Sequence, residues 1–544
     1  MGSGYVEKSV YSYHTFYFPF RWNEDDLKRI GVSFYELFEN LNGESEWKRK
    51  IVDDRQPGNH AFSEENLGGF KDYFDRYQYF EESAREFTCF SKDGNLVKRY
   101  YLNLEEYPQL QYEITVDDKV FSLDVDEVEL IVYSTDVAIL GLKTSYHPTN
   151  ERDRCSGNVK LINEFGRRVG LSFWPDPESD IKKYPDQLRL VYQESKVLVA
   201  DCLSDFVTII NHRDMNLGEV RFMYVTKLLR RLLGLCNYKV PKNLKNKSDK
   251  NVVFRAKKTN AENEILIHPI LNEKMYVTCC VVDYDYAHRL SDSFDEDEEH
   301  FEEAESRSFS ELLTVDLEDN PFYKSKTARD NYIREHTYYL DIKEKCPIVS
   351  GVTDQIYVQV MAEHNYATAY HRNIYNEIIL LGLIQKMSIA EFQTEITLAS
   401  KEIIERKKKM NANYVMQIID LQKRYVGFQN QYLLHEITSR SEGKDLYRRI
   451  QREMGVQEEN AALTEIMSNI YSLVDAHQGF SFNKGALVIS VIALFTSLIG
   501  TISSAYTFNE INFGDPAGSL ALLIDVVAIG VSLYVILVMK YKRQ

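Results

Sequence analysis

Cysteine is scarce in this chain and never spaced as a pair of ligands. There are seven, an odd number, with no C-x-x-C and one adjacent pair, Cys279 and Cys280. That excludes a disulfide framework or a zinc-ribbon ligand set and points to a reducing compartment for the aqueous part. Positive charge is also in deficit: 65 Lys and Arg stand against 82 Asp and Glu, a formal net charge of −17. The basic footprint that displaces counterions from phosphates is missing, so direct DNA or RNA binding is not expected; a cation-attracting field is. The N-terminus, MGSGYVEKSVYSYHTFYFPF, has no basic region leading into an apolar stretch and a small-residue cleavage site, so no secretory signal is expected. G-x-x-x-x-G-K-[ST], G-x-S-x-G, H-E-x-x-H and clustered Cys/His sets are absent too. Without a recognisable catalytic constellation, the chain reads as a non-enzyme with no certain cofactor.

Against a mean hydropathy of −0.37, two stretches near the C-terminus stand out. Residues 485–505 are 21 residues without a charge, and 517–539 are 23 with one, Asp525. Each is long enough to cross a hydrocarbon core about 30 Å thick at about 1.5 Å per residue. A two-helix transmembrane hairpin is therefore expected; buried helices of a soluble domain are the competing reading. Lys484 precedes the first run and Lys540, Lys542 and Arg543 follow the second, while the connecting loop carries only Glu510 and Asp515. Both termini are thus expected on the cytoplasmic side of the bilayer. In the first run Asn483, Ser490, Ser497 and Ser504 recur every seven residues and Thr501 lies four after Ser497, a polar stripe on one side of a helix. Close helix packing explains such a stripe. So does a pore lined by several copies of the chain, which requires a homo-oligomer.

After the first run the sequence reads Tyr506-Thr507-Phe508-Asn509, and Asp515-Pro516 precedes the second. This resembles the CorA family of divalent-cation transporters, whose tyrosine-glycine-methionine-asparagine signature closes the first of two C-terminal spans. Tyr506 and Asn509 match; Thr507 and Phe508 depart from it. The resemblance implies a homopentamer, a pore entrance at Asn509 that holds a hydrated cation such as magnesium, and long stalk helices running into the pore span. Residues 351–515 contain no proline and are rich in helix formers, with breaks expected near 439–443 and at Gly455. Along the helix expected from Gln457, Leu463, Ile466, Ile470, Leu473, His477 and Phe480 alternate three and four apart.

Before residue 351 the pattern is mixed. Residues 112–144 give strand-like runs separated at 117–118, 124–126 and 134–136, an antiparallel meander. NVKLINEFGRRVGLSF and GEVRFMYVTKLLRRLLGLC read as helices and KMYVTCCVVDYDY as a strand. The organisation expected is a cytosolic α+β domain over 1–350, a helical stalk over 351–480 and a membrane hairpin with a basic tail over 481–544. The acidic run 292–305 and the basic run 239–258 read as solvated segments. Arg167 and Arg168, beside Gly166, suit recognition of phosphate or carboxylate, with surface salt bridges as the alternative.

YSTDVAILGLKT, INEFGRRVGLSF and KRYVGFQNQYLLHEITSRSEGKDLY look like a divergent bacterial branch of that family. It includes effectors attached to type III CRISPR systems, which respond to a nucleotide second messenger such as the conjugate of S-adenosylmethionine and AMP. The resemblance thus implies a ligand-gated antiviral membrane channel. The alternative is a divalent-cation transporter with no defence role.

Overall fold

Strict alternation sets the middle of the fold. In SYHTFYFPFRW, the strand β1 (Ser12–Trp22), Phe16, Phe18 and Phe20 face one core, while Tyr13, Thr15 and Tyr17 point the other way, as the two-residue period of a strand requires. The structure is a computed structural model and describes residues 10–22, 47–49, 74–89, 96–168, 188–192, 196–199, 238–239, 251–255, 264–270, 274–294, 301–315, 325–341, 346–364, 366–405 and 412–472. These belong to two units, Met1–Glu395 with Lys423–Leu463, and Ile396–Gln422 with Thr464–Gln544. The described residues of the second unit are helical.

In the first unit the remaining strands are β2 (Trp47–Arg49), β3 (Val97–Leu102), β4 (Gln111–Val116), β5 (Lys119–Tyr133), β6 (Val137–Tyr146), β7 (Leu188–Tyr192), β8 (Lys196–Val199), β9 (Tyr238–Lys239), β10 (Asn251–Arg255), β11 (Glu264–Pro269), β12 (Tyr276–Val282), β13 (Thr337–Asp341), β14 (Ile348–Val352) and β15 (Ile356–Met361). Their main order is β13-β14-β15-β12-β1-β6-β5-β4-β7-β8. The pairs β12/β15 and β10/β11 are parallel and the others antiparallel.

Helices cover both faces of this sheet. On the first lie α2 (Ser156–Gly166), α3 (Tyr284–Asp292), α4 (Glu303–Thr314) and α5 (Lys326–His336). They bring Val159, Ile162, Leu290, Phe309, Leu312 and Ile333 into one apolar core with the strands. On the second lie α1 (Glu82–Thr88), α6 (Tyr366–Tyr370), which passes through a π-helical turn, His371–Tyr375, into α7 (Asn376–Glu405), α7 itself as far as Glu395, α8 (Ala412–Tyr432) from Lys423 onward, and α9 (Ser441–Glu453). Ile450 of α9 packs where Gly382 of α7 has no side chain: a Cβ there would lie 2.9 Å from Ile450 Cγ1.

The meander expected at 112–144 is present as β4, β5 and β6, with turns after Val116 and Tyr133. The break expected at 124–126 is instead a bulge inside one 15-residue strand, where the β5/β6 register shifts between Val125 and Glu127. One inserted residue reverses the parity. Before it Phe121, Leu123 and Val125 enter the first core; after it Val128, Leu130 and Val132 do, and Glu127 and Glu129 are turned to the second face.

The expected fold class, an α+β domain followed by stalk helices and a transmembrane hairpin, is overturned. The described chain is a mixed α/β sheet domain. Much of the segment read as stalk packs on that sheet: β15 is its parallel partner for β12, and α7 up to Glu395 and α9 belong to the same unit. No helix among the described residues is long and apolar enough to cross a membrane; the runs 485–505 and 517–539 lie outside the described residues. A proline-free amphipathic stretch looks the same whether a helix or a sheet covers its apolar side, and only the tertiary fold decides between them. Along the helix that begins after Gly455, Leu463 and Ile470 are buried while Ile466 is 43% exposed. Within the acidic run Glu303 pairs with Arg329 and Glu305 with Arg289.

Gly141 of β6 stands opposite Glu129 and Tyr17. A Cβ there would lie 2.9 Å from Glu129 Cγ and 3.1 Å from both Glu129 Oε1 and Tyr17 Cε1. Gly141→Ala is expected to lower the domain's stability by about 1–3 kcal/mol through overpacking. Urea unfolding of the two proteins side by side checks this, and equal midpoints would show that Glu129 has room to withdraw.

Candidate functional site

The second face of the sheet carries charge where the first carries hydrocarbon. Strand parity aims Arg99 of β3, Glu127 and Glu129 of β5 and Lys143 of β6 toward the helices, and the first turn of α7 presents Glu377 to them. Glu377 is the hub. Arg76 Nη1 lies 2.9 Å from its Oε1. Arg99 donates to both its oxygens, 2.9 Å from Nη1 to Oε1, with Nη2 on Oε2. The side chains of Arg76, Arg99 and Glu377 are 4%, 4% and 2% exposed. Lys143 Nζ extends the network, 2.9 Å from Glu127 and 3.3 Å from Glu129, which is 3.8 Å from Arg99.

Three cations thus meet three carboxylates in a layer buried at Glu377, Arg76, Arg99 and Glu129, and buried ions persist when paired in this way. Burial opposes ionisation of Glu377, but Arg76 and Arg99 outweigh it and hold the carboxyl below its usual range. Burial likewise opposes the Arg99 cation, and Glu377 and Glu129 outweigh it and raise its pKa. The guanidiniums also hold α1 in place: Arg76 donates to the Thr88 carbonyl at 3.2 Å and Arg99 to the Phe87 carbonyl at 3.0 Å.

Two irregularities flank this layer. The π-helical turn before α7 points Asn373 at Arg76 Nε and Arg372 at Asp126, 2.7 Å away, in the β5 bulge. His371 of the same turn is buried, stacked on Tyr357 and 3.1 Å from Gln359 Oε1; burial first, then Arg372, depresses its pKa to about 3. π-Turns and β-bulges re-aim side chains and recur at functional sites. Here both direct charged groups to one helix–sheet interface.

The sequence-predicted residues are placed as follows. Arg167 caps the C-terminal end of α2 and is 5% exposed; its Nη1 donates to Gln355 Oε1 at 2.9 Å. Burial pulls its pKa down to about 10, offset in part by the nearby Asp354. Arg168 pairs with Glu164 one turn back on α2. Asn483, Ser490, Ser497, Thr501, Ser504, Tyr506, Thr507, Phe508, Asn509 and Asp525 all lie outside the described residues.

Among the described residues no group of His, Cys, Asp and Glu is placed to hold a metal ion. Ser12 Oγ, His14 and Asn163 Oδ1 form a hydrogen-bonded row of 2.8 and 2.7 Å that resembles a nucleophile, base and orienting amide. All three are 0% exposed, and burial depresses His14 to about 4, so the row is a sealed core contact. A cleft of about 460 Å³ is lined by residues including Tyr107, Gln111 and Asp124, but Gln111 and His147 already engage Asp124.

The chain matches no protein-family model and has no significant match among curated proteins. The ionic layer escaped the sequence reading because its members are scattered from Arg76 to Glu377. The local signal lay in β5, where Glu127 and Glu129 follow Asp124 and Asp126 and alternate with Val128 and Leu130.

Glu377→Leu removes the carboxylate shared by two buried guanidiniums, a loss of about 3–5 kcal/mol. A fall in the thermal midpoint of the purified protein checks it; an unchanged midpoint would show that the remaining carboxylates take over. Because the Glu377 pKa is depressed, its contribution is present above the usual carboxylate range and disappears as pH falls through the folded-state value. The midpoint difference between wild type and Glu377→Leu is therefore expected to shrink in acid.

Proposed function

We propose that this chain is a ligand-gated membrane effector, in which the α/β domain binds a small anionic ligand and an ion path formed by several copies responds. The observation that carries the gating half is the position of the ionic layer. The boundaries between the two units fall inside α7, inside α8 and after Leu463, and the first-unit parts of α7 and α8 rest on the ionic face of the sheet, Glu377 and Gln385 of α7 and Tyr432 of α8 being buried there. Buried ion pairs add little net stability, yet fix one register, and an exchange of partners changes that register as a step. A helix seated on such a layer is suited to two positions. The conduction half rests on sequence: the apolar runs 485–505, without a charge, and 517–539, with Asp525 alone, the polar stripe from Asn483 to Ser504, and a net charge of −17 that favours cations.

A gating ligand must bind the two states with unequal affinity. The test is ion flux across liposomes containing the purified oligomer, titrated with cyclic oligoadenylates, S-adenosylmethionine and its AMP conjugate, with magnesium alone as the comparison. One nucleotide is expected to change the flux, and Glu377→Gln to shift its half-maximal concentration by about fivefold or more. If every nucleotide is inert and magnesium alone closes the path, the divalent-cation transporter reading replaces this one.

A further inference from the structure

The two helix layers meet at the edge strand β13, and there a single imidazole joins them. His336 ends α5, on the first face of the sheet, and its Nε2 lies 3.3 Å from Oε2 of Glu453, the last residue of α9, on the second. The side chains are 14% and 12% exposed. The other ring nitrogen, Nδ1, lies 2.9 Å from the Tyr332 carbonyl oxygen. A carbonyl only accepts, so Nδ1 carries a proton. Glu453 accepts from Arg452 on its other oxygen, with Nη2 at 2.7 Å and Nε at 3.2 Å, which favours the ionised carboxylate. A neutral His336 would then turn the bare lone pair of Nε2 toward a carboxylate oxygen. The contact is favourable only when both ring nitrogens are protonated.

We propose that His336 and Glu453 form a proton-operated latch that clasps the last turn of α9 to the end of α5 across the sheet edge, closed when the imidazole is charged and released when it is neutral. Among the described residues, the other charged or titratable groups around the pair include Tyr332, whose ring stacks on the imidazole with centroids 4.0 Å apart, Glu335, whose backbone carbonyl accepts from Arg449 at 2.6 Å, Arg452, and Asp354 in the β14–β15 turn, with Arg167 and Tyr276 beyond it. Two helix C-termini also converge on the imidazole, and their partial negative charge favours the cation.

Release affects a defined piece of chain. The earlier part of α9 has its own anchors, Tyr447 on the Leu434 carbonyl at 2.8 Å and Ile450 against Gly382. Beyond Glu453 come Met454 and Gly455, which has φ +63°, and the next helix starts immediately after. Glycine adopts that conformation without steric cost, so the turn next to the latch is the natural pivot. Neither latch nor pivot depends on ion conduction.

The direction with pH follows from the two groups. Burial works against the His336 cation, but the Glu453 and Tyr332 hydrogen bonds outweigh it and raise its pKa above 6.5. Burial also opposes ionisation of Glu453, and the bonds from His336 and Arg452 outweigh it and lower its pKa below 4.5. The latch is therefore complete between those two values, opens as pH rises through the raised imidazole value, and opens again in acid.

Hydrogen exchange of residues 449–455 in the full chain, followed by mass spectrometry and corrected for intrinsic exchange, tests this. Protection is expected to fall about three- to tenfold from about pH 6 to about pH 8.5. His336→Gln should hold these residues at one intermediate level throughout, and Glu453→Gln should flatten the profile as well. A wild-type profile that does not change with pH overturns the latch, as does a His336→Gln protein that keeps the wild-type pH dependence. Should His336→Gln fail to fold, the wild-type and Glu453→Gln profiles decide.

Discussion

Glu377 between Arg76 and Arg99 is the contact on which the second face of the sheet is organised. One buried carboxylate takes two guanidiniums, and each guanidinium also reaches the end of α1. The start of α7, the end of α1 and strand β3 are thereby fixed by one charge balance. The bulge in β5 exists on the same account. Without its extra residue, Glu127 and Glu129 would point into the apolar core of the first face, where neither Lys143 nor Arg99 reaches them.

The two faces of the sheet accordingly do different work. The first is held chiefly by aliphatic and aromatic burial, non-directional and roughly proportional to area, with the Ser12–His14–Asn163 row sealed inside it. The second is held by directional contacts from separate elements: Tyr432 to Ser134 at 2.7 Å, Gln385 to Tyr447 at 2.7 Å and Ser388 to Thr135 at 2.9 Å, beside the ionic layer. Such contacts are satisfied in one arrangement and costly when half-broken. A helix layer seated this way stays in place or moves as a unit.

The two buried histidines and the edge histidine show how environment sorts one side chain into different roles. His14 and His371 hydrogen-bond to neutral amides, and burial, joined at His371 by the Arg372 cation, keeps them uncharged over the physiological range. His336 has a carboxylate at one nitrogen and a carbonyl at the other, so its charge is favoured despite partial burial. Only the last is placed to convert a change of proton concentration into a change of contact.

The strands of 112–144 with their turns at 117–118 and 134–136, the strand through Cys279 and Cys280, helix α2 and the break at Gly455 were legible from the sequence, because each rests on local periodicity or on a residue with special backbone freedom. The β5 bulge was not: Asp124 and Asp126 make 124–126 look like a turn until a neighbouring strand shows that the ladder continues. Nor was the destination of the helices after residue 351, since amphipathic periodicity reports that one side is covered and not by what. The placement of Arg167 against Gln355, 188 residues away, and the joining of Arg76, Arg99 and Glu377 were decided by tertiary structure alone. Charge pairing in a core depends on which elements share a layer, and that is a property of the topology rather than of any stretch of the chain.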